Sequence, residues 1–70
     1  MTEYLLIGGA GNGEKLTIKF GVSILYRCPD TGKDYCYKLG SYSYLDRQFN
    51  VGTFDVTDSE IIAAIRKFAM

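Results

Sequence analysis

Hydrophobic and polar residues alternate along most of the chain before residue 55, which is the period-two pattern of strands with one buried face. Leu25 breaks the alternation by placing an apolar side chain on the second face of its segment, so we expect that strand to be central in the sheet. The pattern predicts five strands: Glu3–Gly8, Lys15–Phe20, Val22–Cys28, Tyr35–Leu39 and Phe49–Phe54.

The pattern changes to a helical period after residue 56. Thr57-Asp58-Ser59-Glu60 is typical of a capping box, in which Thr57 caps the Glu60 amide and the Glu60 carboxylate reaches back. An apolar stripe follows at helical spacing. Its members are Ile61, Ile65 and Phe68. We expect a C-terminal helix that packs across one face of the sheet.

The segments between the strands contain turn signals. Asn12-Gly13 favours a two-residue hairpin turn with positive φ at both positions, and Pro29-Asp30-Thr31-Gly32 favours a turn between strands three and four. Leu45-Asp46-Arg47-Gln48 fits either a turn or a single helical turn. The predicted class is α+β, an antiparallel sheet of four to five strands (a hairpin-rich meander) with one helix, in a single domain of 70 residues.

The run from Gly8 to Gly13 suggests comparison with a nucleotide-binding loop. Its glycine spacing departs from G-x-G-x-x-G, an alternating strand follows instead of a helix, and Glu14 would repel a phosphate. We therefore favour a hairpin connection. The alternative is a backbone nest that binds an anion. The residues of that nest are Gly9, Gly11, Asn12 and Gly13.

The same region carries a family resemblance. The chain resembles small phage and prophage proteins that open with Y-x-L-x-G-G-x-x-[DN]-G before a β-rich body. The matching residues are Tyr4, Leu6, Gly8 and Gly9, with Asn12 and Gly13 fitting after one additional residue. The resemblance covers roughly the first fifth of the chain. It implies a phage-type accessory protein in the host cytoplasm, from a group whose members mostly have no assigned activity.

Composition limits the partners that the chain can attract. Hydrophobic residues make up 47% of the chain, so a real core is available, although a domain of this size is marginal alone and homodimerisation is expected. Eight Lys and Arg balance eight Asp and Glu, which makes nucleic acid an unlikely general partner. The opening has neither a basic region nor a long apolar run, so we expect no membrane association and a cytoplasmic location.

The chain lacks the residues that most often perform catalysis. It contains no histidine, which removes the commonest general base and most metal sites, so we expect no enzymatic activity, no cofactor and no metal. Cys28 and Cys36 flank a turn. We expect reduced thiols in a reducing compartment, and the alternative is a disulfide that links the two strands.

Tyrosine is the strongest functional lead, because four of the six tyrosines lie between Tyr35 and Tyr44. They fit either sheet packing or a partner-binding surface. The predicted surface consists of Tyr35, Tyr37, Lys38, Tyr42, Tyr44 and Arg47. The predicted function is a non-enzymatic module that binds and modulates a host protein, such as a defence component. The alternatives are a nucleotide-binding protein and a small β-sheet nucleic-acid binder that uses Lys15, Lys19 and Lys38 with aromatic residues.

Overall fold

The structure, a computed structural model, describes residues 2–19 and 21–70. It contains five strands followed by one helix, which makes the fold α+β as predicted. The elements are β1 (Thr2–Ile7), β2 (Lys15–Ile18), β3 (Ser23–Arg27), β4 (Asp34–Tyr44), β5 (Arg47–Thr53) and α1 (Asp58–Phe68). The predicted end of the second strand at Phe20 lies outside the described residues.

The five strands form one curled, mixed sheet in the order β2-β1-β5-β4-β3. Strands β1 and β5 are parallel, with Leu5 opposite Val51, and the other pairs are antiparallel. The predicted all-antiparallel meander is therefore wrong. The physical reason lies in β1, where Leu5 to Ile7 form a continuous apolar run buried on both faces, as is typical of strands with parallel neighbours, in place of the alternation of a half-exposed antiparallel strand.

Strand β3, which the sequence predicted to be central, lies at an edge of the sheet. The Leu25 side chain, the reason for that prediction, is 67% exposed. An apolar residue on the second face of a strand therefore did not indicate burial here.

Helix α1 covers the face of the sheet that carries Leu5, Ile7 and Val51, which we call the helix-side face. The buried helix residues on this face are Ile61, Ala64 and Ile65. The predicted packing of the helix on the sheet is confirmed. The core on this face is small, because the helix presents little more than one narrow stripe to the strands.

The start of α1 is fixed by the predicted capping box. The Thr57 hydroxyl accepts a hydrogen bond from the Glu60 amide (3.4 Å), and the Glu60 carboxylate accepts one from the Thr57 amide (3.2 Å). These bonds satisfy two backbone donors that have no partner inside the helix. Arg66 and Lys67 lie in the last turn, where the helix dipole favours positive charge.

The opposite face, which we call the loop-side face, carries Leu6 and Tyr37, both fully buried. No helix lies on it among the described residues, and the β1–β2 connection folds over it instead. Gly52 makes this packing possible, because a Cβ there would lie 2.9 Å from Leu6 Cδ2 and 3.1 Å from Leu39 Cδ2. These two leucines pair with Gly52 in the sheet and meet above its backbone.

The β1–β2 connection differs from the sequence prediction, whereas the β4–β5 connection is a turn, one of the two predicted alternatives. The β1–β2 connection is a longer loop in which Gly13 has a positive φ of 91°, whereas Asn12 does not, so the predicted Asn-Gly turn is wrong. The Asn12 side chain instead accepts a hydrogen bond from the Gly8 amide. The two-residue turn of the sheet is Leu45-Asp46, with φ of 52° and 58°, between β4 and β5.

We expect Gly52→Ala to lower the free energy of unfolding by about 1–3 kcal/mol, because the added methyl must displace Leu6 or Leu39. The matched control is Gly40→Ala, where the Cβ meets nothing within 4 Å. That change should leave stability unchanged or raise it by up to about 1 kcal/mol. Urea denaturation of both variants is the measurement, and equal stability of the two would contradict the packing described.

Candidate functional site

The glycine loop holds its amide donors in internal hydrogen bonds. The Gly13 amide donates to the Leu6 carbonyl (2.8 Å) and the Asn12 amide to the Gly9 carbonyl (3.4 Å). The Gly11 amide donates to the Tyr37 hydroxyl (2.9 Å). A nest needs several free amides that point at one anion. The predicted donors at Gly11, Asn12 and Gly13 are therefore occupied, and we do not retain this loop as an anion site.

Tyr37 is the anchor of that loop. Its hydroxyl accepts a hydrogen bond from the Gly11 amide and donates one to the Gly8 carbonyl (2.6 Å). Tyr37 therefore holds the loop to β4 at two points. The side chain is completely buried, and desolvation raises the pKa of its hydroxyl above the usual value. Tyr37 offers no surface to a partner, contrary to the expectation from sequence.

A second contact connects the edge strand β3 to the same loop. The Tyr26 hydroxyl donates to the Glu14 carboxylate, and the Tyr26 ring packs edge-on against Tyr37 at 6.1 Å. The hydrogen bond to Glu14 is the main reason that the pKa of Tyr26 rises to about 12. Because Glu14 lies in the loop that leads into β2, this contact connects the β3 edge to the segment that begins the opposite edge strand.

The tyrosine-rich segment is divided between the two faces of the sheet. Side chains alternate along a strand, so Tyr35 lies on the loop-side face with Tyr37. The remaining predicted residues share the helix-side face, as alternation and the pairing of Tyr44 with Arg47 require. They are Lys38, Tyr42, Tyr44 and Arg47. The sequence prediction treated the segment as one patch because it ended the strand at Leu39, five residues before β4 ends.

The distal part of the β4–β5 hairpin extends beyond its neighbouring strands. Beyond Leu39, β4 pairs only with β5, and before Val51, β5 pairs only with β4. We call residues 40–50 the arm. Its helix-side face carries aromatic side chains that are half-buried against the helix-side core, and these are Tyr42, Tyr44 and Phe49. Its other face is polar, with Ser41, Ser43, Gln48 and Asn50.

The tip of the arm exposes an apolar side chain in an unfavourable backbone conformation. Leu45 is 63% exposed and has a φ of 52°, in the left-handed region that leucine rarely adopts. Beside the tip, the Arg47 guanidinium lies 5.1 Å from the centre of the Phe49 ring. The sequence placed Leu45 in a segment that fits either a turn or a single helical turn, but it assigned Leu45 no role in binding.

A groove of about 240 Å³ separates the arm from the start of β1. It exists because Thr2–Tyr4 pair with β2 alone, so β1 and β5 diverge before Leu5. Lys15 and Arg47 line this groove together with the Phe49 ring. Glu3 and polar side chains of β5 line it as well, so the groove is mixed in polarity and charge.

The two cysteines are free thiols. Cys36 pairs with Leu25, three residues before Cys28, which separates the two thiols along the strands by about 10 Å. That spacing is too long for a disulfide. Hydrogen bonds from the Thr31 hydroxyl, followed by those of neighbouring backbone amides, hold the pKa of Cys28 below its usual value.

The lysines of the nucleic-acid hypothesis lie apart from half of the aromatic residues. Lys15, Lys19 and Lys38 alternate onto the helix-side face, whereas Tyr26 and Tyr35 lie on the loop-side face.

Within residues 2–19 and 21–70, no three acidic, histidine or cysteine side chains come close enough to hold a metal ion. No helix in the described part of the chain has the length and apolarity needed to cross a membrane.

Comparisons of the chain with protein-family models, with curated proteins and with solved structures each found no match.

We expect Tyr37→Phe to destabilise the protein by about 1–3 kcal/mol, because it leaves the Gly11 amide and the Gly8 carbonyl without their buried partner. Hydrogen exchange of the Gly11 amide should accelerate by more than global unfolding explains. The same change at half-buried Tyr35 is the control and should be mild. An unchanged exchange rate at Gly11 would show that the hydroxyl does not hold the loop.

The raised pKa of Tyr26 predicts a loss of stability at alkaline pH. Its pKa is about 12 in the folded protein against 10.0 for a free tyrosine, so its contribution is fully present below pH 10. That contribution disappears as the pH rises from about 10 to 12. Chemical denaturation at several pH values across this range gives the free energy of unfolding as a function of pH. That free energy should fall less steeply with pH for Tyr26→Phe than for the wild type, and an equal fall would contradict the assignment of the hydrogen bond.

Proposed function

We propose that the protein is a non-enzymatic binding module that engages a host protein through the arm. The observation that supports this most directly is Leu45, an exposed aliphatic side chain held at the tip of a projecting hairpin in left-handed backbone. The resemblance of the N-terminal segment to phage and prophage proteins supports a host protein as the partner.

The fold gives Leu45 little burial in return for its unfavourable backbone conformation. A turn with positive φ at both positions favours Asn-Gly, and leucine there costs about 1–2 kcal/mol of backbone strain. The side chain is also mostly in solvent, so burial offsets little of that cost. Strain of this kind is a reason to look for a function at the site. A pocket on a partner that accepts Leu45 would give the side chain the burial that the fold does not provide.

The residues beside the tip define the chemistry of the partner. Arg47 lies next to the turn, and Lys38 occupies the same face at the base of the arm. Tyr42, Tyr44 and Phe49 add partly exposed aromatic surface. Asp46, exposed in the turn itself, adds a negative charge, so we expect an apolar pocket for Leu45 with charged groups of both signs around its rim. Such a rim would make the rate of association sensitive to salt.

The arm is tested by replacing Leu45-Asp46 with Asn-Gly, which keeps the turn and removes the apolar tip. We expect the double variant to be more stable than the wild type by about 1 kcal/mol, which raises the melting temperature by roughly 4–8 °C. The same variant should capture less of the host protein that the wild type retains in an affinity pulldown. Increased stability with reduced capture is the expected outcome, because loss of folding cannot produce both.

Val22→Asn is the matched control, since it removes an even more exposed aliphatic side chain (84%) that lies beside Leu39, at the opposite end of the arm from Leu45. It should leave capture unchanged. Alanine at Tyr42 or Tyr44 is a poorer test, because both side chains pack against the core and their loss would also cost stability. Undiminished capture by the Asn-Gly variant would reject the arm as the binding surface.

A further inference from the structure

The two edges of the sheet differ in how well they are protected against pairing with another strand. Four large apolar side chains are strongly exposed in the described part of the chain, and two of them, Val22 and Leu25, belong to the β3 edge. The β2 edge carries Lys15 and Lys19, both exposed. Exposed lysines are a common device that keeps an edge strand from pairing with another chain.

The hydrogen-bond pattern shows which backbone groups β3 presents to solvent. The Leu39 amide donates to the Val22 carbonyl and the Cys28 amide to the Lys33 carbonyl, which fixes the phase of the antiparallel ladder. The even-numbered residues of this segment therefore direct their backbone amides and carbonyls toward β4. The amides and carbonyls of Ser23, Leu25 and Arg27 point outward, and all three residues are exposed.

This outward edge is complementary to itself. Leu25 is the middle residue of β3, so a two-fold axis through it pairs all five residues of the strand with those of a second copy. Leu25 then lies opposite Leu25, and Ser23 lies opposite Arg27. The Arg27 charge is already balanced within its own chain by Asp34, at 2.9 Å. On the other face Ile24 lies opposite Tyr26, which continues the apolar layer.

Two-fold pairing of β2 with β2 of a second copy would be unfavourable. The β1–β2 register directs the backbone groups of Lys15, Thr17 and Lys19 outward. A two-fold axis through Thr17 would place Lys15 opposite Lys19 twice, and like charges directly opposite each other destabilise a strand pair. The zero net charge of the chain leaves no overall repulsion to prevent association elsewhere.

We propose that the protein forms a homodimer by antiparallel pairing of β3 with β3 of a second copy, centred on Leu25. The pairing joins two five-stranded sheets into one sheet of ten strands. Pairing five residues buries less than the roughly 1,600 Å² of a standard interface, so the dimer is reversible, with a dissociation constant of about micromolar order. The arm lies outside this contact, so dimerisation and partner capture are separable.

Charge variants at position 25 test both the edge and the register. Sedimentation equilibrium across a micromolar concentration series should show a monomer–dimer equilibrium for the wild type. Leu25→Lys and Leu25→Glu should each weaken dimerisation by roughly tenfold or more, because the two-fold axis places like charges opposite each other. An equimolar mixture of the two variants should recover the dimer, since Lys and Glu then meet across the axis.

Thr17→Lys is the matched control, because it adds the same charge at an outward position of the other edge. It should dimerise like the wild type. Circular dichroism and thermal unfolding should confirm that every variant folds. A wild type that stays monomeric at all concentrations would overturn the proposal, as would dimers that survive both charge variants. A mixture that fails to associate would overturn the register and with it the proposed two-fold pairing.

Discussion

The two hydrogen bonds of the Tyr37 hydroxyl are the interaction on which the rest of the sheet depends. The hydroxyl reaches from the middle of β4 to the β1–β2 loop, where it bonds to Gly8 and Gly11. With no helix described on that face, this loop supplies the cover that a second layer would otherwise provide. The Tyr26–Glu14 contact extends the same arrangement to the edge strand. A domain this small can therefore bury both faces of its sheet with a single helix.

Local features were predictable from the sequence, whereas pairing between distant segments was not. The capping box at Thr57 and the apolar stripe of α1 involve residues within a few positions of each other, and both are confirmed. The parallel pairing of β1 with β5 has no local signal, although the consecutive buried residues Leu5 to Ile7 were a clue that two neighbours were needed. The sequence left open whether Leu45-Asp46 forms a turn or a helical turn, because the positive φ of both residues is not what their residue types favour.

The candidate site shows the same division. The tyrosine-rich segment was recognised by composition, but which tyrosines face together depends on where the strand ends, and β4 continues through Gly40 to Tyr44. Alternation then buries Tyr37, leaves Tyr35 on the loop-side face and carries Tyr42 and Tyr44 to the arm. The proposed binding surface therefore keeps part of the predicted set and gains Leu45 and Phe49, which no sequence pattern marked as functional.

The parallel β1–β5 pair also bears on the order in which the chain folds. Leu5 and Val51 are 46 positions apart (51 − 5), whereas the β3–β4 and β4–β5 hairpins join neighbouring segments. Closing the longer loop costs more entropy before any contact is gained. The β1–β2 hairpin and the three C-terminal strands each form from neighbouring segments, whereas the β1–β5 contact requires both units to be in place. Strand β1 therefore completes its hydrogen bonds only when the N-terminal hairpin meets the C-terminal strands.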